Sequence, residues 1–225
     1  MSKHLQRDID GLINRLLTIS SMVEEMIDRA TLALSERRFD LADQVISSDE
    51  FVDKNEVHLE EECLKMLALH QPVAIDLRRI ATVLKVNADL ERIADLAVSI
   101  ANRARAIAEH PAFVVPDRLP KMVVLATQMV RGAMDSFVNL DAQAARRILA
   151  MDQQVDQYNS DIIDELQARM QKQPDMVAAG LHCFSGVRHI ERIADHATNI
   201  AEDVIYLVEG EIVRHRHLKL NESPS

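Results

Sequence analysis

A chain of 225 residues, 48% of them hydrophobic, is long enough to bury the core of one large domain or of two small ones. Aromatics at 3%, no Trp, only five glycines and six prolines, and an abundance of Ala, Leu, Ile, Glu, Asp and Arg favour helices over sheets. A net charge of −10 makes the chain a poor candidate for binding nucleic-acid phosphates, which require basic surface, and suits a protein that binds cations or basic patches on partners.

The first stretch, MSKHLQRDIDGLINRLL, lacks the unbroken apolar core of a signal peptide. No window of about 18 apolar residues follows, so no membrane span is expected and the expected location is cytoplasmic. Residues 4–36 carry apolar side chains at steps of three and four, from Leu5, Ile9 and Leu12 to Ala30 and Leu34, which predicts an amphipathic helix with a mild interruption at Gly11. After a turn near Arg37–Asp40, a second helix is predicted to about His70, with an apolar track that includes Val45, Phe51, Val52, Val57, Leu59, Leu64, Met66 and Leu69. Gln71-Pro72 should end it, because a residue before proline avoids the helical region, and Pro72 suits the start of the next helix. The third helix, from about Val73 to Glu109, is apolar nearly all round, including Ile75, Leu77, Ile80 and Leu84, and is therefore expected to be central and packed on several sides.

The segment HPAFVVPDRLP reads as a linker, after which the plan repeats. A fourth helix is predicted over 119–138 and a fifth over 141–171, closed again by Gln173-Pro174. A sixth should run from about Asp175 to Glu209, where Gly210 can cap it. The predicted organisation is all-α, six helices in two three-helix bundles: 1–110, a linker 111–118, 119–210, and a flexible basic tail 211–225. Cys63 and Cys183 fall singly inside helices, without metal-site or disulfide spacing, and read as small buried side chains in a reducing compartment.

The halves share a signature. Glu-Arg-Ile-Ala-Asp stands at 91–95 and again at 191–195, and Ala97, Ile100 and Ala101 return as Ala197, Ile200 and Ala201. Such a period is too long for a solenoid unit and suits two copies of a small domain. The second helices correspond at a slightly larger offset, pairing Asp49 with Asp152 and Asp53 with Asp156. Glu56 continues the first acidic face, and Asn159 takes its place in the second half.

Each half thus offers two carboxylate pairs at i and i+4, where both side chains leave one helix face: Asp49/Asp53 with Glu91/Asp95, and Asp152/Asp156 with Glu191/Asp195. Carboxylates crowded between two packed helices must take up protons or hold a cation. An all-oxygen set suits Mg, Mn, Fe or Ca, with Zn admissible, and helical bundles do place metals so. The competing reading is surface charge, in which Arg92 or Arg192 pairs with Asp95 or Asp195 at i+3. His189 and His196 flank the second pair, but Asp89 and Leu96 stand in the first half, so pairing or solvated roles suit them better than ligation. No phosphate-binding Gly-rich loop, no GxSxG and no Glu-x-x-His occurs, which leaves little for an enzyme.

DLERIADLAVSIA, HIERIADHATNIAEDVIYLVEGEIVRH, the QP closing the second helix and the following Asp76-Leu77-Arg78 together resemble the PhoU family of bacterial phosphate-transport accessory and regulatory proteins. The resemblance spans nearly the whole chain. It implies two three-helix bundles related by a pseudo-two-fold, and multinuclear metal binding through E(D)xxxD motifs. Carried over position by position, the ligands would be Asp49, Asp53, Glu91, Asp95, Asp152, Asp156, Glu191 and Asp195. It further implies a negative regulator, not an enzyme, that links the ATPase of the Pst phosphate ABC transporter to a PhoR-type sensor histidine kinase, as a homodimer or larger oligomer. Nucleic acid would not be a partner, and membrane contact would come only through partners. The departure is Ala94 and Ala194, where the family has glycine; each methyl could hold a neighbouring helix or metal slightly away. A carboxylate-bridged metalloenzyme and a metal-free helical adaptor are the alternatives.

Overall fold

The computed structural model describes residues 3–213, and there the chain forms six long helices and no strand. They are α1 (Lys3–Glu36), α2 (Phe39–His70), α3 (Ala74–Ala108), α4 (Leu119–Asn139), α5 (Ala142–Lys172) and α6 (Val177–Glu209). From residue 214 onward, the tail expected to be flexible lies outside the described residues.

The helices gather as two bundles, α1–α3 and α4–α6. Within each, the third helix packs on the other two, and α3 and α6 share the most extensive interface in the molecule. A helix with neighbours on three sides must be apolar around most of its circumference. Accordingly α3 buries Ile80, Val83, Val86, Leu90, Ile93, Leu96, Ile100 and Ile107, and α6 buries Val187, Ile190, Ile193, Ile200, Val204 and Leu207. Each such side chain removed from water stabilises the fold by about 1.5–3 kcal/mol before chain entropy is counted. Ala94 and Ala194 are wholly buried, so their methyls are part of this core. Cys63 and Cys183 are buried as well, as their isolated positions in helical patterns predict.

Two expectations from periodicity need correction. On α2, Phe51, Val57, Leu64 and Leu69 are more than half exposed, and the buried line is Val45, Val52, Leu59, Cys63 and Met66. That helix meets neighbours on one side only, so its core stripe is narrower than its apolar content. The first turn of α3 also projects past the bundle, leaving Ile75 and Leu77 over 40% exposed.

Helix ends follow local chemistry. Gln71 ends α2 in the left-handed region at φ 42°, its N–H bonding Leu67 O at 3.1 Å. Pro72 stands outside α3 rather than opening it; Val73 is extended and the helix starts at Ala74. Pro174 opens a single 3₁₀ turn, Pro174–Met176, ahead of α6. Gly210 closes α6 at φ 76°, donating to Tyr206 O at 2.9 Å, a conformation that suits glycine because it lacks Cβ.

Polar contacts cross between the bundles. Lys85 Nζ on α3 lies 3.0 Å from Asp203 Oδ1 on α6, and Asp203 is only 2% exposed. Nearby, His196 Nδ1 donates to Asp89 Oδ1 at 2.8 Å, and Asn199 Nδ2 donates to the same oxygen at 3.4 Å. On the outer helices, Arg131 of α4 reaches Glu24 at 2.7 Å and Asp28 at 3.2 Å on α1.

Candidate metal centre

The packing of α2 on α3 sets two acidic rows side by side. Burial pushes the Asp49 carboxyl above its ordinary value; the negative charges of Asp53 on its own helix and Asp95 across on α3 push it further. Glu91 is raised in the same way, first by burial and then by Asp95, with Glu56 and Asp53 adding and Arg92 opposing. Glu56 is raised by burial and by Glu60 and Asp53, again against Arg92. The four candidates of the first half, with Glu56, are therefore joined by a chain of pairwise charge effects across α2 and α3. Asp49 Oδ1 is enclosed and accepts no hydrogen bond.

The second half repeats this with different neighbours. Glu191, only 14% exposed at its side chain, is raised by burial and by Asp195 and Asp156, while Arg188 lowers it. Its Oε1 accepts from Arg188 Nη1 at 3.0 Å and its Oε2 accepts from nothing. Desolvation by the packed helices raises Asp195 too, followed by the charge of Asp156 on α5; His196, Arg188 and Arg192 act against it. Asp152 is half-buried one turn before Asp156 on α5. Asn159, 7% exposed, leaves its Oδ1 without a donor.

Arginines do reach these rows. Arg92, itself 63% exposed, lies 3.3 Å from Asp95 and 3.4 Å from Glu91. In the second half the direct partner is Arg188 with Glu191, while Arg192 acts on Asp195 only through its charge. Among the described residues, no three His, Cys, Asp or Glu side chains are arranged as a group that could hold a metal ion. Carboxylates brought together without a counter-charge repel one another, and a cation bound among them would supply the charge they lack. The donor set fits a hard cation: all oxygen, mutually repelling, with Asp49 Oδ1 and Glu191 Oε2 enclosed and unpaired.

Asn87 and Arg188 have contacts here that the acidic spacing did not single out. Asn87, 1% exposed, donates from Nδ2 to the Glu56 backbone oxygen at 2.9 Å and leaves its Oδ1 unpaired. It stands one turn before Glu91 on α3, so a same-face reading of that helix would have found it. Arg188 could have been read from its i, i+3 spacing to Glu191. The flanking histidines pair elsewhere: His196 with Asp89, and His189 Nε2 with the Ser185 hydroxyl at 3.3 Å.

Comparison with known proteins agrees with the fold and the repeat. Residues 16–104 and 119–204 each match the PhoU domain. The phosphate-specific transport system accessory protein PhoU homolog of Aquifex aeolicus (strain VF5) is 37% identical over 215 residues, covering 96% of this chain and 97% of that protein. The phosphate-specific transport system accessory protein PhoU of Escherichia coli (strain K12) is 32% identical over 222 residues, covering 96% and 91%. The crystal structure of PhoU from Pseudomonas aeruginosa superposes with a TM-score of 0.88 at 34% identity, over 92% of this chain and 99% of that one. That of the phosphate transport system regulatory protein PhoU from Streptococcus pneumoniae gives 0.87 at 27% identity, over 93% and 99%. These relatives are named as accessory or regulatory proteins rather than enzymes. With both halves matched, the acidic signature at the same place on each third helix, and this degree of identity along nearly the full length, the chain belongs to the PhoU domain family.

Proposed function

We propose that this protein is a metal-binding regulator of phosphate uptake and of phosphate-starvation signalling. In this reading it couples the Pst transporter ATPase to a PhoR-type sensor kinase, from the cytoplasm and as a homodimer, and represses the phosphate response. The names of its relatives support the phosphate-transport setting. No described helix is long and apolar enough to cross a membrane, which fits an accessory role beside a membrane transporter.

Metal binding rests on one observation: in each half, acids on two packed helices repel one another while an enclosed carboxylate oxygen, Asp49 Oδ1 or Glu191 Oε2, has no hydrogen bond. A bound Fe, Zn, Mn or Mg ion would supply the compensating charge. Asp49, Asp53, Glu91 and Asp95 would hold it in one half, and Asp152, Asp156, Glu191 and Asp195 in the other. Arg92 and Arg188 would then set how much negative charge each site presents.

The test is metal content of purified protein by mass spectrometry, wild type against Asp95→Ala with Asp195→Ala. Bound metal is expected to fall severalfold with far-UV helicity unchanged; equal metal content would remove the ligand assignment. For the regulatory half of the proposal, deletion of the gene in its host should derepress alkaline phosphatase in phosphate-rich medium. Intact repression would overturn it. The metal-free adaptor is favoured by Arg92, which already pairs with Glu91 and Asp95, and it predicts no metal in protein purified without chelators.

A further inference from the structure

The α3–α6 seam has two corresponding ends, because the third helices of the two halves repeat at a spacing of one hundred positions. At one end Lys85, Asp89, His196, Asn199 and Asp203 satisfy one another: cations meet carboxylates at 3.0 and 2.8 Å. The corresponding residues at the other end are Ser185, His189, Leu96, Ser99 and Arg103. Both carboxylates of the first end have been exchanged, Asp89 for a histidine and Asp203 for an arginine. Lys85 and His196 are exchanged as well, for Ser185 and Leu96, so the basic groups at this end are the two that replace the anions.

The consequences are visible in the side chains. Arg103 Nε is enclosed and has no acceptor, and His189 Nδ1 is enclosed and has no partner. The Ser185 hydroxyl lies 3.3 Å from His189 Nε2. The tautomer in which Ser185 donates to Nε2 puts the ring proton on Nδ1, making it a second N–H without an acceptor. The named charges acting on His189 are both positive, Arg103 and Arg192. An electropositive spot with unmet donors stands out in a chain of net charge −10. Buried N–H groups are normally paired, and what would pair these is a ligand with several acceptor oxygens and negative charge. Arg103 and His189 are each only half-buried, so the cluster remains reachable from outside.

We propose that Arg103, His189 and Ser185 form a binding site for a small tetrahedral oxyanion, with inorganic phosphate as the ligand. Arg103 supplies the forked guanidinium that matches such an anion and His189 an Nδ1–H, which Ser185 fixes by donating its hydroxyl proton to Nε2. Arg192 adds long-range positive charge. Neither Arg103 nor Ser185 belongs to the acidic rows, so this site stands or falls apart from the metal reading.

The experiment is calorimetric titration of inorganic phosphate into the full chain, kept in chelator so that no cation can bridge the anion. Binding is expected for wild type. Arg103→Gln should weaken it at least ten-fold, and Arg103→Lys, which keeps the charge without the fork, should fall between. Lys85→Gln, at the self-neutralised end, should bind as wild type does. Thermal melts of each variant report that the fold is retained. No binding at millimolar phosphate, equal loss in Arg103→Gln and Lys85→Gln, or acetate binding as tightly as phosphate would each overturn the site.

Discussion

Glu191 shows how a single carboxylate registers its surroundings. One oxygen is held by Arg188 and the other by nothing, while Asp195 and Asp156 press on it from two helices. A carboxyl raised by folding contributes stability while protonated and loses that contribution as the pH climbs through its folded value. The metal-free protein therefore bears a cost at neutral pH that fades on acidification. Glu191→Gln keeps the shape and removes the charge, so its unfolding free energy from urea titration without metal should exceed wild type at pH 7, by on the order of 0.5 kcal/mol, the scale of a like-charge pair on one helix face. The advantage should shrink as the pH falls into the carboxyl range; a less stable variant at pH 7 would mean the Arg188 bond outweighs the repulsion. Cys63 and Cys183 give a second check. Burial pushes both thiols up to about 12, so at pH 8 only about one in ten thousand is ionised, and thiolate is the reactive form. Native protein should resist alkylation at that pH, with both thiols reacting once urea is added.

Helix starts differ between the halves even where the backbone does not. Asp141 caps α5, accepting from Gln143 N and Ala144 N at 2.9 Å each. Its counterpart before α2 is Arg38, which has the same extended backbone and no capping side chain; it pairs with Asp40 instead. Removing the cap with Asp141→Ala should cost about 1 kcal/mol, read as a lower urea midpoint with unchanged slope. The buried face of α2 was not legible in the sequence, because Phe51, Val57 and Leu64 are as apolar as Val52 and Leu59, and only the location of the neighbouring helices separates them.

At the scale of the molecule, the two bundles are tied by a charge pair at their shared seam. Asp203 is buried, Lys85 is partly exposed, and the ammonium also sits 5.4 Å from the Tyr206 ring. Taking Lys85 to Ala leaves a buried carboxylate short of its cation, and a loss of about 2–3 kcal/mol is expected by denaturant titration. Replacing both, as Lys85→Met with Asp203→Leu, should recover most of that loss, since apolar groups of similar volume need no counter-charge. A double variant as unstable as the single one would mean that Asp203 matters through contacts other than Lys85.

Sequence alone determined the helices, their order, the duplication and the candidate acids, because each is written in local spacing: steps of three and four, prolines at breaks, Glu and Asp one turn apart. It also placed Asp49, Asp53, Glu91 and Asp95 on particular helix faces, and their counterparts likewise. Only the tertiary structure decided which side chains meet across helices. That Asp95 acts on Asp49, that His196 pairs with Asp89, and that Arg103 Nε is enclosed without an acceptor depend on the rotation of α3 against α2 and α6. Helix rotation is set by the summed packing of many apolar residues, no single one of which encodes a partner.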